Sequence, residues 1–233
     1  MNGLPNWVVF WDRPHSIYVN QRHLDVHCRD VARGIVALVP SPQARGLDFG
    51  CGESIHADLV ADAVAELTLC DAAASVREHL AQRFAGNRKI KVLDPEAVER
   101  LPAGSFDLIV VNSVVQYLSA AELDRWLTIW RRLLAPGGAL IVADVIPPDA
   151  SPLGDAMALM RYAAANGFVL AAIWGVAKTA FSSYRKVRAR LGIATYREAD
   201  IMKKIAAQGF GVERVPFNLE HNPSRMTFRA RPI

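Results

Sequence analysis

The sequence predicts an α/β protein with a doubly wound sheet of seven strands, mostly parallel, with an antiparallel last strand and a helical insertion after strand five. Between residues 44 and 148, five short apolar runs alternate with helical segments. This alternation implies a parallel sheet covered by helices on both faces. The last two strand segments have no helix between them, which favours an antiparallel hairpin. An apolar fraction of 52% with 21% charged residues describes a chain able to bury such a sheet.

The elements can be assigned in chain order from periodicity and from start and stop signals. The N-terminal region is interpreted as a loop and then a helix, "YVNQRHLDVHCRDVARGIVALV", which ends before Pro40. In this helix one face carries Leu24, His27, Val31, Ile35 and Leu38. The five core strands are "ARGLDFG", "ELTLCD", "KIKVLD", "FDLIVVN" and "ALIVADVI". Ser119 with Glu122 three residues later predicts a capped helix before the fifth strand. Helix "READIMKKIAAQG" and strands "FGVERVPF" and "RMTFRARP" complete the chain.

Composition limits the class of protein. At 233 residues the chain fits one domain better than two. Its three cysteines are widely spaced and odd in number, so they offer neither a disulfide framework nor a C-x-x-C metal site. This cysteine usage, and an N-terminal stretch without the pattern of a secretory signal, predict a cytoplasmic protein.

The turn after the first strand, "GLDFGCGES", indicates the ligand. Gly50 and Gly52 begin a G-x-G-x-x-G pattern, but Ile55 stands where a dinucleotide-binding turn needs its third glycine. Asp48 at the strand end would repel a pyrophosphate. A cationic ligand without phosphate removes both objections, and S-adenosylmethionine is such a ligand. Asp48 would then serve its amino-acid end, while the two glycines allow close backbone approach.

Two further strands also end in aspartate. Asp71 lies 19 residues after Gly52, about where an acidic residue takes ribose hydroxyls in nucleoside-binding α/β folds. Asp94 ends the third strand, where it could accept from the exocyclic amine of adenine with Leu93 beside the ring. Any one of these aspartates could instead be a helix N-cap or a turn former. Three in order beside the glycine pair favour a ligand site.

These motifs resemble the class I S-adenosylmethionine-dependent methyltransferases. "GLDFGCGES" is similar to their first motif, "LPAGSFDLIVVNSVVQYL" to their fourth-strand segment, and "RRLLAPGGALIVADV" to the helix, P-G-G turn and fifth strand. The resemblance covers residues 44–148 by motif and 196–231 by topology, and Ser54 departs from the usual glycine. "NSVVQYL" is also similar to methyltransferase domains of nonribosomal peptide synthetases, which hints at a small-molecule acceptor.

The resemblance implies one Rossmann-like domain over residues 1–233. Its expected parts are an N-terminal helical segment (1–43), a cofactor-binding core (44–148), a helical lid insertion (149–195) and a C-terminal helix with a strand hairpin (196–233). It also implies that Asn112, Ser113 and Val114 lie near the methionine moiety and the acceptor, although Asn112 could equally cap the next turn. The candidate cofactor-binding residues are Asp48, Gly50, Gly52, Asp71, Ala72, Leu93, Asp94, Asn112 and Ser113.

Histidines and one tyrosine are the candidate catalytic groups. An acceptor that must lose a proton needs a general base, and histidine titrates near neutral pH. His221 falls between the last two strands, and His15 and Tyr18 could fold over the cofactor from the N-terminal segment. His23 and His27 have a metal-ligand spacing, but no third ligand is apparent. We therefore expect no metal site.

The insertion after the fifth strand is apolar and then basic. Residues 162–177 carry no charge and are apolar all round a helix, which predicts that this stretch is buried. Sixteen residues are too few to span a bilayer, which takes about 20. The alternatives are a lid over the active site or a membrane-surface segment within residues 153–190. The cations that would face anionic headgroups are Lys178, Arg185, Lys186, Arg188 and Arg190.

The leading hypothesis is methyl transfer from S-adenosylmethionine to an oxygen or nitrogen of a small hydrophobic or lipid-like acceptor, by in-line displacement. One alternative is an RNA methyltransferase that uses the basic cluster at 178–190. Neither an N/D-P-P-Y/F motif after strand four nor a Pro-Cys motif is present, so a nucleic-acid partner is not expected. Another alternative is a non-catalytic protein that binds the cofactor. The protein is expected in the cytoplasm, with peripheral membrane contact as an option.

Overall fold

The computed structural model describes residues 6–12, 18–180 and 192–233. His15 and the basic residues Arg185, Lys186, Arg188 and Arg190 lie outside the described residues, as does the side chain of Lys178. The roles predicted for them therefore stay predictions.

The seven predicted strands form one sheet in the order β3-β2-β1-β4-β5-β7-β6. β7 pairs antiparallel with both of its neighbours, and the pairs among the first five strands are parallel. The predicted fold class is confirmed. The strands are β1 Arg45–Phe49, β2 Glu66–Cys70, β3 Ile90–Leu93, β4 Phe106–Asn112, β5 Leu134–Val145, β6 Phe210–Val215 and β7 Met226–Pro232.

Helices connect the strands and cover both faces of the sheet. The capping box predicted at Ser119 and Glu122 is present at the start of α6. Two short helices and a 3₁₀ turn at Val115–Tyr117 were not anticipated, and one of these helices, α1, lies where a loop was expected. The helices are α1 Asn6–Trp11, α2 Gln21–Val36, α3 Ala57–Ala63, α4 Ala74–Arg83, α5 Pro95–Glu99, α6 Ala120–Leu133, α7 Pro152–Asn166, α8 Val169–Ala180 and α9 Glu198–Ala207.

The strand order places a crevice at the end of β1. β1 lies between β2 and β4, so the chain leaves β1 in one direction across the sheet and later returns to its other side. In doubly wound sheets ligands bind at this reversal, beyond the carboxyl ends of the strands. The aspartates of the first three strands and the segment after β4 therefore border one crevice.

Two apolar layers hold this edge in place. On one face Phe49 packs against Trp126 and Trp130 of α6, with ring centroids 4.5 and 5.2 Å apart. On the other face α2 packs through Ala32 and Ile35. The buried positions of α2 are His23, Cys28, Ala32 and Ile35, so its inner face is rotated from the one predicted, and of the predicted positions only Ile35 is fully buried.

The insertion is a helical hairpin with one covered face. α7 ends at Gly167, whose φ of 74° turns the chain into α8, and Ala163, Phe168 and Ala172 form a small buried cluster. The prediction that the whole apolar stretch is buried is wrong, because Leu170 and Trp174 are 84% and 79% exposed. A single covering surface can bury only one side of a helix that is apolar all round. Among the described residues, the helices are all too short or too polar to cross a membrane.

Candidate functional site

The glycine turn after β1 is held by the strands on either side. Gly50 and Cys51 donate their backbone N–H groups to the carbonyl of Cys70 at 2.7 and 3.0 Å. Gly50 has φ 75°, and a Cβ there would lie 2.2 Å from Cγ2 of Val114. Gly52 has φ 57° and only open space where its Cβ would be. Gly50 is therefore needed for packing, whereas Gly52 keeps bare backbone at the edge of the crevice.

Asp48 is a buried carboxyl with one weak partner. It is 7% exposed, and the Ser54 hydroxyl donates to its Oδ2 at 3.4 Å. Burial, with a smaller contribution from the charge of Asp71, raises the pKa of Asp48 to about 7. Within the described part of the chain, no basic side chain forms an ion pair with it. A cationic ligand would supply the missing charge.

Asp71 and Asp94 accept hydrogen bonds from different parts of the backbone. Asp71 accepts from the N–H of Gly52 at 3.0 Å and from the N–H of Ala73 at 2.8 Å, so it fixes the glycine turn to the end of β2. Burial raises the pKa of Asp71. Asp94 is the N-cap of α5, where its Oδ1 accepts from Ala97 at 2.7 Å. The capping alternative is thus realised for Asp94, and an adenine contact would have to use its second oxygen.

The remaining predicted cofactor residues lie along the same edge. Ala72 is exposed directly after Asp71, and Leu93 is half-buried before Asp94. The guanidinium of Arg77 donates to the carbonyls of Asp71 and Ala72 at 2.9 and 2.8 Å, which fixes this backbone. Both positions can therefore border a ligand at the ends of β2 and β3.

A polar cluster that sequence reasoning missed begins at the end of β4. Asn112 does not cap the next turn: its Nδ2 donates to Oε1 of Glu220 at 2.7 Å, while its Oδ1 is buried without a partner among the described residues. Ser113 donates to Oδ2 of Asp144 at 2.8 Å. Ser113 and Asp144 both have positive φ, 56° and 58°. Such backbone is uncommon for non-glycine residues and clusters at functional sites.

Asp144 and Glu220 form a partly buried acidic pair. Burial, and for Asp144 also the charge of Glu220, raises the pKa of each carboxyl to about 7. Asp144 follows the pattern of Asp48 and Asp71, since it too ends a strand with an acid, and that signal could have identified it. Glu220 was not predictable, because it lies on the loop between β6 and β7.

The same loop brings His221 to two histidines of α2. The ring of His221 lies 6.1 Å from that of His23 and 6.4 Å from that of His27, centroid to centroid. Tyr18 joins this group at 5.2 Å from His27, and burial raises its pKa. Burial lowers the pKa of each of the three histidines to about 4. Two of the three predicted catalytic residues, His221 and Tyr18, thus lie in one cluster with histidines that we had set aside.

The N-terminal helix spans the crevice from one side to the other. The rings of Trp7 and Trp11 lie 4.7 and 5.7 Å from Tyr117, in the 3₁₀ turn after β4. Asp12 accepts from the N–H of Ser75 at 2.8 Å, in the first turn of α4 after β2. Since β2 and β4 flank β1, α1 lies across the edge that carries the glycine turn.

Comparison with known proteins finds similarity to methyltransferases. Residues 47–140 match the sequence profile of a family described as "Methyltransferase domain". The chain is 30% identical over 114 residues to an uncharacterized methyltransferase of Mycobacterium bovis, a match that covers 48% of this chain and 56% of that protein. It is also 30% identical over 116 residues to the lovastatin diketide synthase of Aspergillus terreus, covering 45% of this chain and 5% of the synthase. The chain therefore spans only part of the length of these curated relatives.

Solved structures share the fold over the whole chain. One is the magnesium protoporphyrin IX methyltransferase from Synechocystis with bound S-adenosylhomocysteine. It superposes with a TM-score of 0.60 and covers 100% of this chain and 96% of its own, at 15% sequence identity. At that identity the likeness establishes the fold, and the chemistry must come from the residues of this chain.

Proposed function

We propose that the chain is a class I S-adenosylmethionine-dependent methyltransferase, which the match of residues 47–140 to a methyltransferase-domain profile supports, and that it methylates an oxygen or nitrogen of a small hydrophobic or lipid-like acceptor. The observation that carries the proposal is Asp48, a buried carboxyl without a cation, beside the open space at Gly52. A ligand with an ammonium group and no phosphate supplies what this site lacks.

The described residues fit the donor. Asp48 would hold the ammonium group, which favours the ionised carboxyl and lowers its pKa from about 7. Asp71 would accept the ribose hydroxyls with its remaining lone pairs, since each of its oxygens already holds one backbone N–H. When bound, S-adenosylmethionine supplies an electrophilic methyl group. The chain contributes alignment and exclusion of water, and α1 is placed to provide the latter.

The proposed acceptor side is a cavity lined by both apolar and polar side chains, the polar ones including Asp30, Asn218 and Glu220. This cavity of about 260 Å³ opens beside His27, Tyr162, Phe217, Leu219 and His221. With its pKa lowered to about 4, His221 is neutral at pH 7 and can accept a hydrogen bond from a hydroxyl or amine, which would orient the acceptor, while the low pKa makes it a weak general base. Tyr18, whose pKa is raised, stays protonated, and its hydroxyl, which interacts with the side chain of Cys28, would have to turn toward the acceptor to donate to it. His15 remains a candidate from the same N-terminal segment.

A lipid-like acceptor and a peripheral site on a membrane are supported by the outer face of the hairpin. Leu153, Leu170 and Trp174 are 71%, 84% and 79% exposed. Leu170 and Trp174 are one turn apart on α8 and so share a face, and exposed apolar surface of this kind marks sites that meet a partner or a membrane. We propose a cytoplasmic protein that meets its acceptor through α7 and α8.

Binding of S-adenosylhomocysteine, measured by calorimetry, tests the donor assignment. Asp48→Asn and Asp71→Ala should each weaken binding, whereas the matched control Asp62→Asn, an exposed carboxylate on α3, should not. Wild-type protein that does not bind, or unchanged binding in Asp71→Ala, would contradict the donor assignment. A protein that binds the donor but transfers no label would be the non-catalytic alternative.

Transfer of a labelled methyl group tests the acceptor. The protein is incubated with methyl-labelled S-adenosylmethionine and a cell extract, which is then separated into organic, aqueous and RNA fractions. We expect label in the organic fraction. Label in RNA alone would refute the proposed acceptor and support the use of the basic residues at 178–190.

A further inference from the structure

We propose that His23, His27 and His221 form a binding site for one divalent transition-metal ion of the zinc class. One ligand atom from each histidine lies within 4.8 Å of the others. His23 and His27 are one turn apart on α2, and the third ligand comes from the loop between β6 and β7, far away in sequence. Neutral imidazole is a ligand that zinc, copper, iron and nickel share.

Two orphaned nitrogen atoms point to a missing partner. Nε2 of His23 and Nδ1 of His221 are both buried and have no hydrogen-bond partner among the described residues. Buried polar atoms in native proteins are almost always satisfied, so each exception needs an explanation. A single ion between these two rings explains both atoms at once.

The surroundings are those of a metal site. Nδ1 of His27 lies 3.3 Å from Oε2 of Glu220, which leaves its Nε2 for a ligand. A carboxylate behind a ligating histidine fixes the ring and raises its basicity. Phe168 stacks on His23 at 4.9 Å, and Tyr162 stacks on His221 at 4.9 Å, so aromatic rings also hold these two imidazole planes.

The carboxylate of Glu220 connects the histidine cluster to the end of β4. Its Oε2 lies beside Nδ1 of His27, and its Oε1 accepts from Asn112 and Ser113. The proposed site would therefore be joined through one side chain to the polar groups that follow β4.

Binding requires two local changes. Tetrahedral zinc with bonds of 2.0–2.1 Å places its nitrogen ligands about 3.3 Å apart, so the rings must close from the observed separation by rotation of their side chains. The N–H of Val19 donates to Nδ1 of His23 at 3.3 Å. A metal on Nε2 moves the ring proton to Nδ1, and this long hydrogen bond is then given up. The competing arrangement is a metal-free hydrogen bond from Nε2 of His23 to Nδ1 of His221.

Three protein ligands leave a fourth position open. Sites of this kind bind water or substrate there, in contrast to structural zinc sites with four protein ligands. The cavity of about 260 Å³ is lined by His27 and His221, so the open position would border it. The inference concerns metal binding and does not depend on the identity of the methyl donor or the acceptor. A His221 that holds the ion no longer accepts a hydrogen bond or a proton, so metal binding would replace the accepting role proposed for it above.

Calorimetric titration of untagged, chelator-treated protein with Zn²⁺ tests the site, and Co²⁺ provides a visible absorption band that reports tetrahedral coordination. We expect one equivalent to bind. His221→Ala should weaken Zn²⁺ binding by about 100-fold or more, and Glu220→Gln by about 10- to 100-fold. His79→Ala is the matched control, since His79 is exposed on α4, and it should bind as the wild type does.

Circular dichroism establishes that each variant is folded, and X-ray absorption of the zinc-loaded wild type needs no variant. Three imidazole nitrogens at 2.0–2.1 Å would support the proposal. Each of three results would overturn the proposal. The wild-type protein binds no Zn²⁺ at about 100 μM, the His221→Ala variant binds Zn²⁺ as tightly as the wild type does, or fewer than three imidazoles coordinate the metal. The metal-free histidine pair would then be the correct description.

Discussion

The proposed donor edge and the proposed acceptor edge of the crevice are built in different ways. The donor edge consists of Asp48, the glycine turn and Asp71, which lie within 24 residues of one another in the chain. The acceptor edge joins α2, the end of β4, the end of β5 and the loop between β6 and β7. Short-range motifs thus specify the donor site, whereas tertiary contacts alone assemble the acceptor site.

The largest expected effect is on the donor edge, at Gly50. In Gly50→Ala the new Cβ meets Val114 at 2.2 Å in a backbone with φ 75°. We expect a loss of about 2 kcal/mol or more in the free energy of unfolding, from the left-handed backbone and the overpacking together. Urea denaturation followed by circular dichroism measures it.

The second substitution Val114→Ala separates the two causes. It removes the clashing methyl groups, so Gly50→Ala with Val114→Ala should be more stable than the sum of the single changes predicts. Gly52→Ala, with only open space around its Cβ, should lose stability through backbone strain alone. Equal losses at Gly50 and Gly52 would contradict the packing role given to Gly50.

The contrast between the two edges also explains what could be predicted from the sequence. The sheet, its antiparallel last strand and the capping box were predictable because periodicity and capping are local. Asp48, Gly50 and Asp71 could be proposed as cofactor-binding residues because a strand end and a turn mark them. Glu220 and its contact with Asn112 could not be found, since nothing in a loop sequence shows which strand end it meets. For the same reason His23 and His27 were set aside, although His221 completes the group.

Asp48→Asn should have the next largest effect, on affinity for S-adenosylhomocysteine. The loss of a charge-assisted hydrogen bond corresponds to about 1.5 to 3 kcal/mol, or roughly 10- to 150-fold in the dissociation constant. The wild-type pKa of about 7 adds a pH dependence. Below pH 7 the carboxyl is protonated and cannot pair with the ammonium group, so affinity should rise between pH 6 and 8. Calorimetry across this range measures it.

The variant should lack that rise, because asparagine does not titrate. A wild-type affinity that does not change between pH 6 and 8 would show that the Asp48 carboxyl does not titrate in that range. If affinity rises equally with pH in the wild type and in Asp48→Asn, the titrating group is another one, such as Asp71, whose pKa is also raised.

At the acceptor edge, we expect pH to change the stability of the folded protein instead of its affinity for a ligand. The folded-state pKa of Asp144 is about 7, above its usual value, so its stabilising contribution is present at low pH and is lost as pH rises through 7. Asp144→Asn should therefore be more stable than wild type at pH 8.5. At about pH 4, near the ordinary pKa of an aspartate, the two proteins should differ little, because the protonated carboxyl and the amide each offer one acceptor oxygen and one donor to Ser113 and Asn218.

Thermal denaturation with a chelator present, at the two pH values, measures this change in the stability difference. Asn is suited to the test because it tolerates the positive φ of 58° at this position. A variant less stable than wild type by the same amount at both pH values would show that Asp144 is not held with a raised pKa.

The smallest expected effect comes from comparing a tryptophan of α1, the helix that crosses the donor edge, with a tryptophan on the exposed face of the insertion. Each aromatic contact with Tyr117 is worth about 0.5 to 1.5 kcal/mol, so Trp7→Ala should weaken binding of S-adenosylhomocysteine by a few-fold if α1 closes the donor site. Trp174, 79% exposed on α8, provides the control. Trp174→Ala should leave that affinity unchanged and reduce binding to anionic lipid vesicles, measured by sedimentation. Equal effects of the two tryptophans on donor affinity would mean that α1 and the insertion do not serve separate edges.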